Sequence, residues 1–302
     1  MKSARASSAM KAGSWEVWLQ AIRPRTLVAG AAPIAVGTAV AASVHEARPL
    51  RALTALASVV VLQIGVNLAN DVEDFQRGAD TADRLGPTRV TQAGLLSAEA
   101  VKRAALGCFA VAFLLGCLLA LVGGWPILAL GLISIVCGYL YTGGPRPLAY
   151  LGLGDALAMG FFGCVAVVGT ALLQAGRIPA LAWIAWVPVG CLATAILVVN
   201  NLRDRFTDAR AGKRTLAVRI GGGATRAEYV ALLAAAFAVP AALFALRITG
   251  PWPLVSWAAA PFALRPLRTV LREDGAILNR ALGDTARLEL VFCLLFAAGL
   301  LP

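Results

Sequence analysis

Long charge-free stretches alternate with short, charge-dense ones along the whole chain. Apolar runs cover 26–44, 52–70, 156–176, 178–202, 229–246 and 248–264. The run 104–145 is twice the length needed to cross a bilayer, and Gly123-Gly124-Trp125-Pro126 breaks it into two spans joined by a tight hairpin. A last, shorter span near 285–301 carries Glu289. At about 20 residues per crossing, the pattern predicts an all-α multi-span membrane protein of about nine helices. It forms one domain over 1–302.

Composition narrows the class. Only 14% of the residues are charged, against roughly 25% in a soluble domain, which excludes a soluble globule, a disordered chain and a disulfide scaffold. The net charge of +11 points to anionic lipid and cytoplasmic loops rather than nucleic acid. The six cysteines all lie in apolar runs without a CxxC pair, and the single histidine, His45, lies in a polar connector. Neither set suits a metal site or histidine catalysis. With the N-terminus placed inside, 23 of the 27 Lys and Arg residues fall on the cytoplasmic side and only Arg48, Arg51, Arg177 and Arg247 outside. That asymmetry orients the chain and predicts a multi-pass protein of the inner (cytoplasmic) membrane. A signal peptide ending near Ala39–Ser43 is the weaker reading, because the apolar run is longer than a signal core.

Acidic residues gather at two places, both at cytoplasmic ends of spans. Asn67, Asn70, Asp71, Glu73, Asp74, Asp80 and Asp83 close the second span; Asn200, Asn201, Asp204 and Asp208 close the sixth. A shift of 130 positions brings Asn70 onto Asn200 and Asp74 onto Asp204. Asn-x-x-x-Asp stacks an amide and a carboxylate on one helical face, and its recurrence four spans later predicts two pseudo-repeated four-helix units. Both clusters lead into basic loops. Hard oxygen donors facing a basic rim suit Mg²⁺ and a diphosphate better than a proton relay; the plainer alternative is that Asn and Asp only terminate helices at the wet interface.

The segments Asn70-Asp71-Val72-Glu73-Asp74-Phe75-Gln76-Arg77-Gly78-Ala79-Asp80-Thr81 and Asn200-Asn201-Leu202-Arg203-Asp204-Arg205-Phe206-Thr207-Asp208 resemble the two signatures of UbiA-type intramembrane prenyltransferases. Three more segments, 86–95, Tyr141-Thr142-Gly143-Gly144-Pro145 and 212–219, resemble the branch that prenylates 1,4-dihydroxy-2-naphthoate in menaquinone synthesis. Two departures from the wider family fit that branch. Gly78 stands where the general first motif has a third Asp, with Asp80 in its place, and Gly143-Gly144 stands where hydroxybenzoate-type members often carry a lysine.

The resemblance implies Mg²⁺-dependent transfer of a polyprenyl group from its diphosphate to an aromatic acceptor. With dihydroxynaphthoate the attacked carbon carries the carboxylate, so CO₂ is lost. It implies metal ligands Asn70, Asp74, Asp80, Asn200, Asp204 and Asp208, with Asp71, Asp74, Asp204 and Asp208 as catalytic acids. Diphosphate would be held by Arg77, Arg84, Arg89, Lys213 and Arg214, and the acceptor by Arg23, Arg25, Tyr139, Tyr141 and Asp155. Each acceptor residue has a plainer role: Arg23 and Arg25 as inside anchors, the tyrosines as an interfacial belt, Asp155 as a helix cap. Competing functions are transfer to another acceptor such as 4-hydroxybenzoate, and a transporter built on repeats. A transporter's acids would sit near mid-span. The partners expected are the two substrates and the lipid bilayer; the sequence leaves the oligomeric state open.

Overall fold

A computed structural model describes residues 14–78 and 85–302. Asp80 and Arg84 lie outside the described residues, as does the side chain of Arg25. The described residues form helices joined by turns and loops, with no strand among them: α1 Trp15–Ile22, α2 Pro24–Ala42, α3 Pro49–Gln76, α4 Ala98–Gly123, α5 Trp125–Leu140, α6 Gly154–Ala158, α7 Ala166–Ala175, α8 Ala182–Arg210, α9 Leu216–Ala245, α10 Ala260–Arg272 and α11 Leu278–Gly299. A π-helical turn over Met159–Val165 joins α6 to α7 without a break.

Local chemistry explains the boundaries. Ser97 caps α4 by accepting from the Ala100 amide at 3.2 Å, and Glu99 sits in the positive first turn. The α4–α5 hairpin turns on Gly124, whose φ of +75° a side chain would strain, and Pro126 starts α5 where its missing N–H costs nothing. Five segments are long and apolar enough to cross a membrane: α3, α4, the continuous Gly154–Ala175 segment, α8 and α9. The apolar stretch Ala29–Ala42 of α2 and α5 are shorter. One sequence expectation changes shape. The run 248–264 does not form one α-helix: Gly250 and Pro251 close a turn, residues Trp252–Ala259 wind as 3-10 helix, and α10 continues to Arg272. Proline at 251, 253 and 261 removes the amide donors an α-helix would need there.

Two packed groups hold most of the core. α1, α3, α4 and the loop around Val90 bury one set of apolar side chains, Leu68, Val72, Val101 and Phe109 among them. α2, α7, α8, α9 and α11 bury the other around Leu192, Val199, Tyr229 and Phe292. Gly163 and Gly190 let the π turn approach α8 so closely that a Cβ on Gly163 would lie 2.8 Å from the Gly190 Cα. Away from the motifs, the Arg51 guanidinium donates to the carbonyls of Leu173 and Gln174 at 3.0 and 3.3 Å. A cation there complements the negative end of α7.

Candidate active site

Between the two groups lies a cavity of about 380 Å³. Leu62, Leu119, Ile127, Leu130 and Leu173 line its deeper part, and the polar ends of α3 and α8 line its mouth. Asn70 and Asp74 from α3 and Asn200, Asp204 and Asp208 from α8 all face this one space, with Arg23, Arg89, Lys213 and Tyr141. The two motifs, 130 residues apart in sequence, therefore share one site.

The first motif is held from the surrounding loops. Thr142 donates its hydroxyl to Asn70 Oδ1 at 2.6 Å. Asp74 is buried, yet accepts from Arg89 Nη2 at 3.2 Å and from the Tyr150 hydroxyl at 3.1 Å, with Lys213 Nζ at 3.7 Å. Burial first, and the Asp74 charge next, push the Tyr150 phenol above its ordinary range, so it stays a donor.

The second motif is held from its own helix. Arg203, only 2% exposed, donates from Nε and Nη2 to the two oxygens of Asp204, from Nη2 to Asn200 Oδ1 at 2.9 Å and from Nη1 to Asn279 Oδ1 at 2.7 Å. Asn279 in turn donates to the Leu85 carbonyl at 2.7 Å. Sequence reasoning passed over Arg203, Asn279 and Tyr150. Arg203 carried a signal: an arginine within the polar end of a span, three residues past an Asn and one before an Asp, has its partners within reach.

Other predicted site residues stand elsewhere. Asp71 does not line the cavity; it accepts from the Thr91 amide at 3.0 Å and lies 3.9 Å from Arg23. It ties the first motif to the 85–96 loop and to the α1–α2 junction, where Arg23 itself adopts a left-handed φ of 56°. Arg77 turns away to bind the carbonyls of Thr142 and Gly144, fixing the loop whose threonine orients Asn70. Arg214 is exposed and lines nothing in the cavity, so the expected Lys213–Arg214 pair is split. Tyr139 is partly exposed outside the cavity; Tyr141 faces in, and Gly154 leaves room for its hydroxyl. Asp155 is buried beside the cavity wall with neither oxygen hydrogen-bonded, and Glu289 is buried in α11 in the same condition. Phe161 and Phe162, on the π turn, face the cavity and were not anticipated.

The donor set fits Mg²⁺ on one condition. No three His, Cys, Asp or Glu side chains among the described residues converge tightly enough to hold an ion alone. Mg²⁺ commonly takes one or two carboxylates, keeps waters and completes its shell with substrate phosphate oxygens, and Asp74 and Asp204 with two amide oxygens around one cavity match that demand.

Comparison with known proteins gives the same picture. A 1,4-dihydroxy-2-naphthoate octaprenyltransferase of Mycobacterium tuberculosis (strain ATCC 25618 / H37Rv) is 43% identical over 290 residues, which is 95% of this chain and 97% of the relative. The Escherichia coli (strain K12) protein of the same name is 38% identical over 94% of this chain and 95% of its own. The fold matches a solved UbiA homolog from Archaeoglobus fulgidus bound to GPP and Mg²⁺, with a TM-score of 0.65 at 15% identity over 93% of this chain and 99% of that one. Residues 31–288 match the UbiA prenyltransferase family. With both signature motifs converging on one cavity inside that matched stretch, the chain belongs to the UbiA prenyltransferase family.

Proposed function

We propose that the protein transfers a polyprenyl group from a polyprenyl diphosphate to 1,4-dihydroxy-2-naphthoate, with loss of CO₂, in menaquinone biosynthesis. One observation carries the reading: both acidic motifs and the cations Arg89 and Lys213 face one end of a cavity whose other end is apolar. The diphosphate belongs at the polar end and the prenyl chain at the apolar end. The relatives' names supply the acceptor.

Bound Mg²⁺ would neutralise the diphosphate as a Lewis acid, held by Asn70, Asp74, Asn200, Asp204 and Asp208, and by Asp80 beyond the described residues. Lys213 and Arg89 now rest on Asp74; on substrate binding they turn to the diphosphate oxygens and stabilise the charge that builds as the allylic C1–O bond breaks. Tyr141, Phe161 and Phe162 present ring faces to the allylic cation, and the apolar walls keep water from it. Arg23 holds the acceptor carboxylate. The ring carbon bearing that carboxylate attacks C1; the C–CO₂⁻ bond then breaks, its electron pair restores the aromatic ring, and CO₂ leaves.

The same reading takes the chain as one domain of about nine spans in two pseudo-repeated units, N-terminus and active site cytoplasmic, in the inner membrane. It rests on the family and on the Lys and Arg asymmetry. Membranes containing the protein should prenylate dihydroxynaphthoate when given Mg²⁺ and a prenyl diphosphate, and should stop after exhaustive EDTA treatment. Undiminished product after EDTA would overturn the metal role; faster prenylation of 4-hydroxybenzoate would overturn the acceptor.

A further inference from the structure

Each motif's central carboxylate is already paired with cations, but from opposite sides. Asp74 and its partners Arg89 and Lys213 all line the cavity, so an entering anion can draw those cations off. Asp204 and Asn200 line the cavity while Arg203 does not. Arg203 approaches from behind, buried, with hydrogen bonds to Asp204, Asn200 and Asn279. Asn279 is itself anchored on the Leu85 carbonyl. This guanidinium lines no part of the cavity, and four hydrogen bonds tie it to the protein.

We infer that Arg203 is a fixed counter-cation that keeps the second motif from holding a divalent ion by itself, so that metal enters this site only together with the diphosphate. The inference rests on the metal–diphosphate reading above. An arginine keeps its charge at any physiological pH. Behind the Asp204 carboxylate, in an interior of low dielectric, that charge offsets the attraction of the carboxylate for a doubly charged ion on the cavity side. The same hydrogen bonds hold Asp204 and Asn200 facing the cavity, so the donors are oriented before the diphosphate brings its own oxygens. Arg203 is thus a positioning residue that acts through two others and touches no substrate.

The test is a Mn²⁺ titration, read by electron paramagnetic resonance, of the purified full-length protein in lipid nanodiscs, with and without inorganic diphosphate. The wild-type protein should bind Mn²⁺ weakly alone and at least about tenfold more tightly with diphosphate. Arg203→Gln should bind Mn²⁺ alone about tenfold more tightly than wild type, and the gain from diphosphate should shrink. Arg203→Lys keeps the charge but not the forked geometry; Mn²⁺ alone should stay weakly bound, with a smaller gain from diphosphate. Arg203→Gln leaves Asp204 buried without its partner and can fail to fold; the wild-type and Lys titrations then decide. Tight binding of Mn²⁺ to the wild type without diphosphate overturns the inference. So does Arg203→Gln with unchanged or weaker affinity, or Arg203→Lys with tightened affinity. Wild-type protein that binds no Mn²⁺ even with diphosphate overturns the metal–diphosphate reading itself, a result distinct from the others.

Discussion

The two acidic motifs share a spacing but not a setting. Asn70 is oriented by the neutral hydroxyl of Thr142, Asn200 by the guanidinium of Arg203. Asp74 takes its cations from two loops that face the cavity, Asp204 from the residue before it on its own helix. One spacing therefore gives two electrostatically different settings. On the proposed function the two settings separate tasks: Arg89 and Lys213 would leave Asp74 for the diphosphate, while Arg203 would keep the opposite wall in place.

The largest expected effect tests whether both halves matter. Asp74→Asn and Asp204→Asn should each lower turnover by on the order of 10²-fold or more, the usual scale for losing a charge at an electrostatic site. A folded variant of either kind with near-normal turnover would break the symmetry of function that the shared cavity implies.

A smaller effect tests exchange at the first motif. Lys213 lies 3.7 Å from Asp74 at the cavity mouth, whereas Arg214 is exposed. Lys213→Ala should raise the KM for prenyl diphosphate or lower kcat by about 10- to 100-fold, the range for losing a charge-assisted hydrogen bond of roughly 1.5–3 kcal/mol. Arg214→Ala should stay within about threefold, as surface substitutions usually do. Steady-state kinetics with each substrate varied would check both, and equal losses in the two variants would put Arg214 back in the site. Removing only the Thr142 hydroxyl, in Thr142→Val, should cost about 1 kcal/mol, or roughly fivefold in kcat, for one neutral hydrogen bond. Normal kcat in that variant would show that Asn70 needs no orienting partner.

How much of this was written locally in the sequence follows from which residues it concerns. The break at Gly124 with Pro126 just after it and the position of both motifs near helix ends are local matters of backbone geometry, and they were legible. The direction a side chain takes within a motif was not. Asp71 and Asp74 are three residues apart, yet Asp71 serves the Thr91 amide and Asp74 faces the cavity. The difference is made by the loop carrying Arg89 and Thr91, whose path back over α3 is a tertiary fact. The direction of Arg77 is non-local in the same way: its partners are the carbonyls of Thr142 and Gly144, 65 or more residues away. The π turn that brings Phe161 and Phe162 to the cavity leaves no periodic mark in so uniformly apolar a run.

The smallest expected effect concerns the neutral member of the first motif's set. Tyr150 donates to Asp74 Oδ1 at 3.1 Å, and its ring lies beneath Lys213 Nζ at 5.5 Å from the centroid. Tyr150→Phe keeps the ring and removes one hydrogen bond, while Arg89 and Lys213 still hold the carboxylate, so kcat should fall only about two- to fivefold. The pH dependence has a definite sign. Burial first, then the Asp74 charge, raise the phenol above its ordinary value of about 10. The contribution of its hydrogen bond is therefore complete below pH about 10 and is lost only as pH rises through the raised value. The ratio of wild-type to Tyr150→Phe activity should accordingly be flat from pH 6 to 9. A ratio that falls toward 1 within that window would mean the phenol already ionises there. Asp74 would then be facing a second anion, and the first motif would depend on Lys213 and Arg89 even more heavily than its geometry indicates.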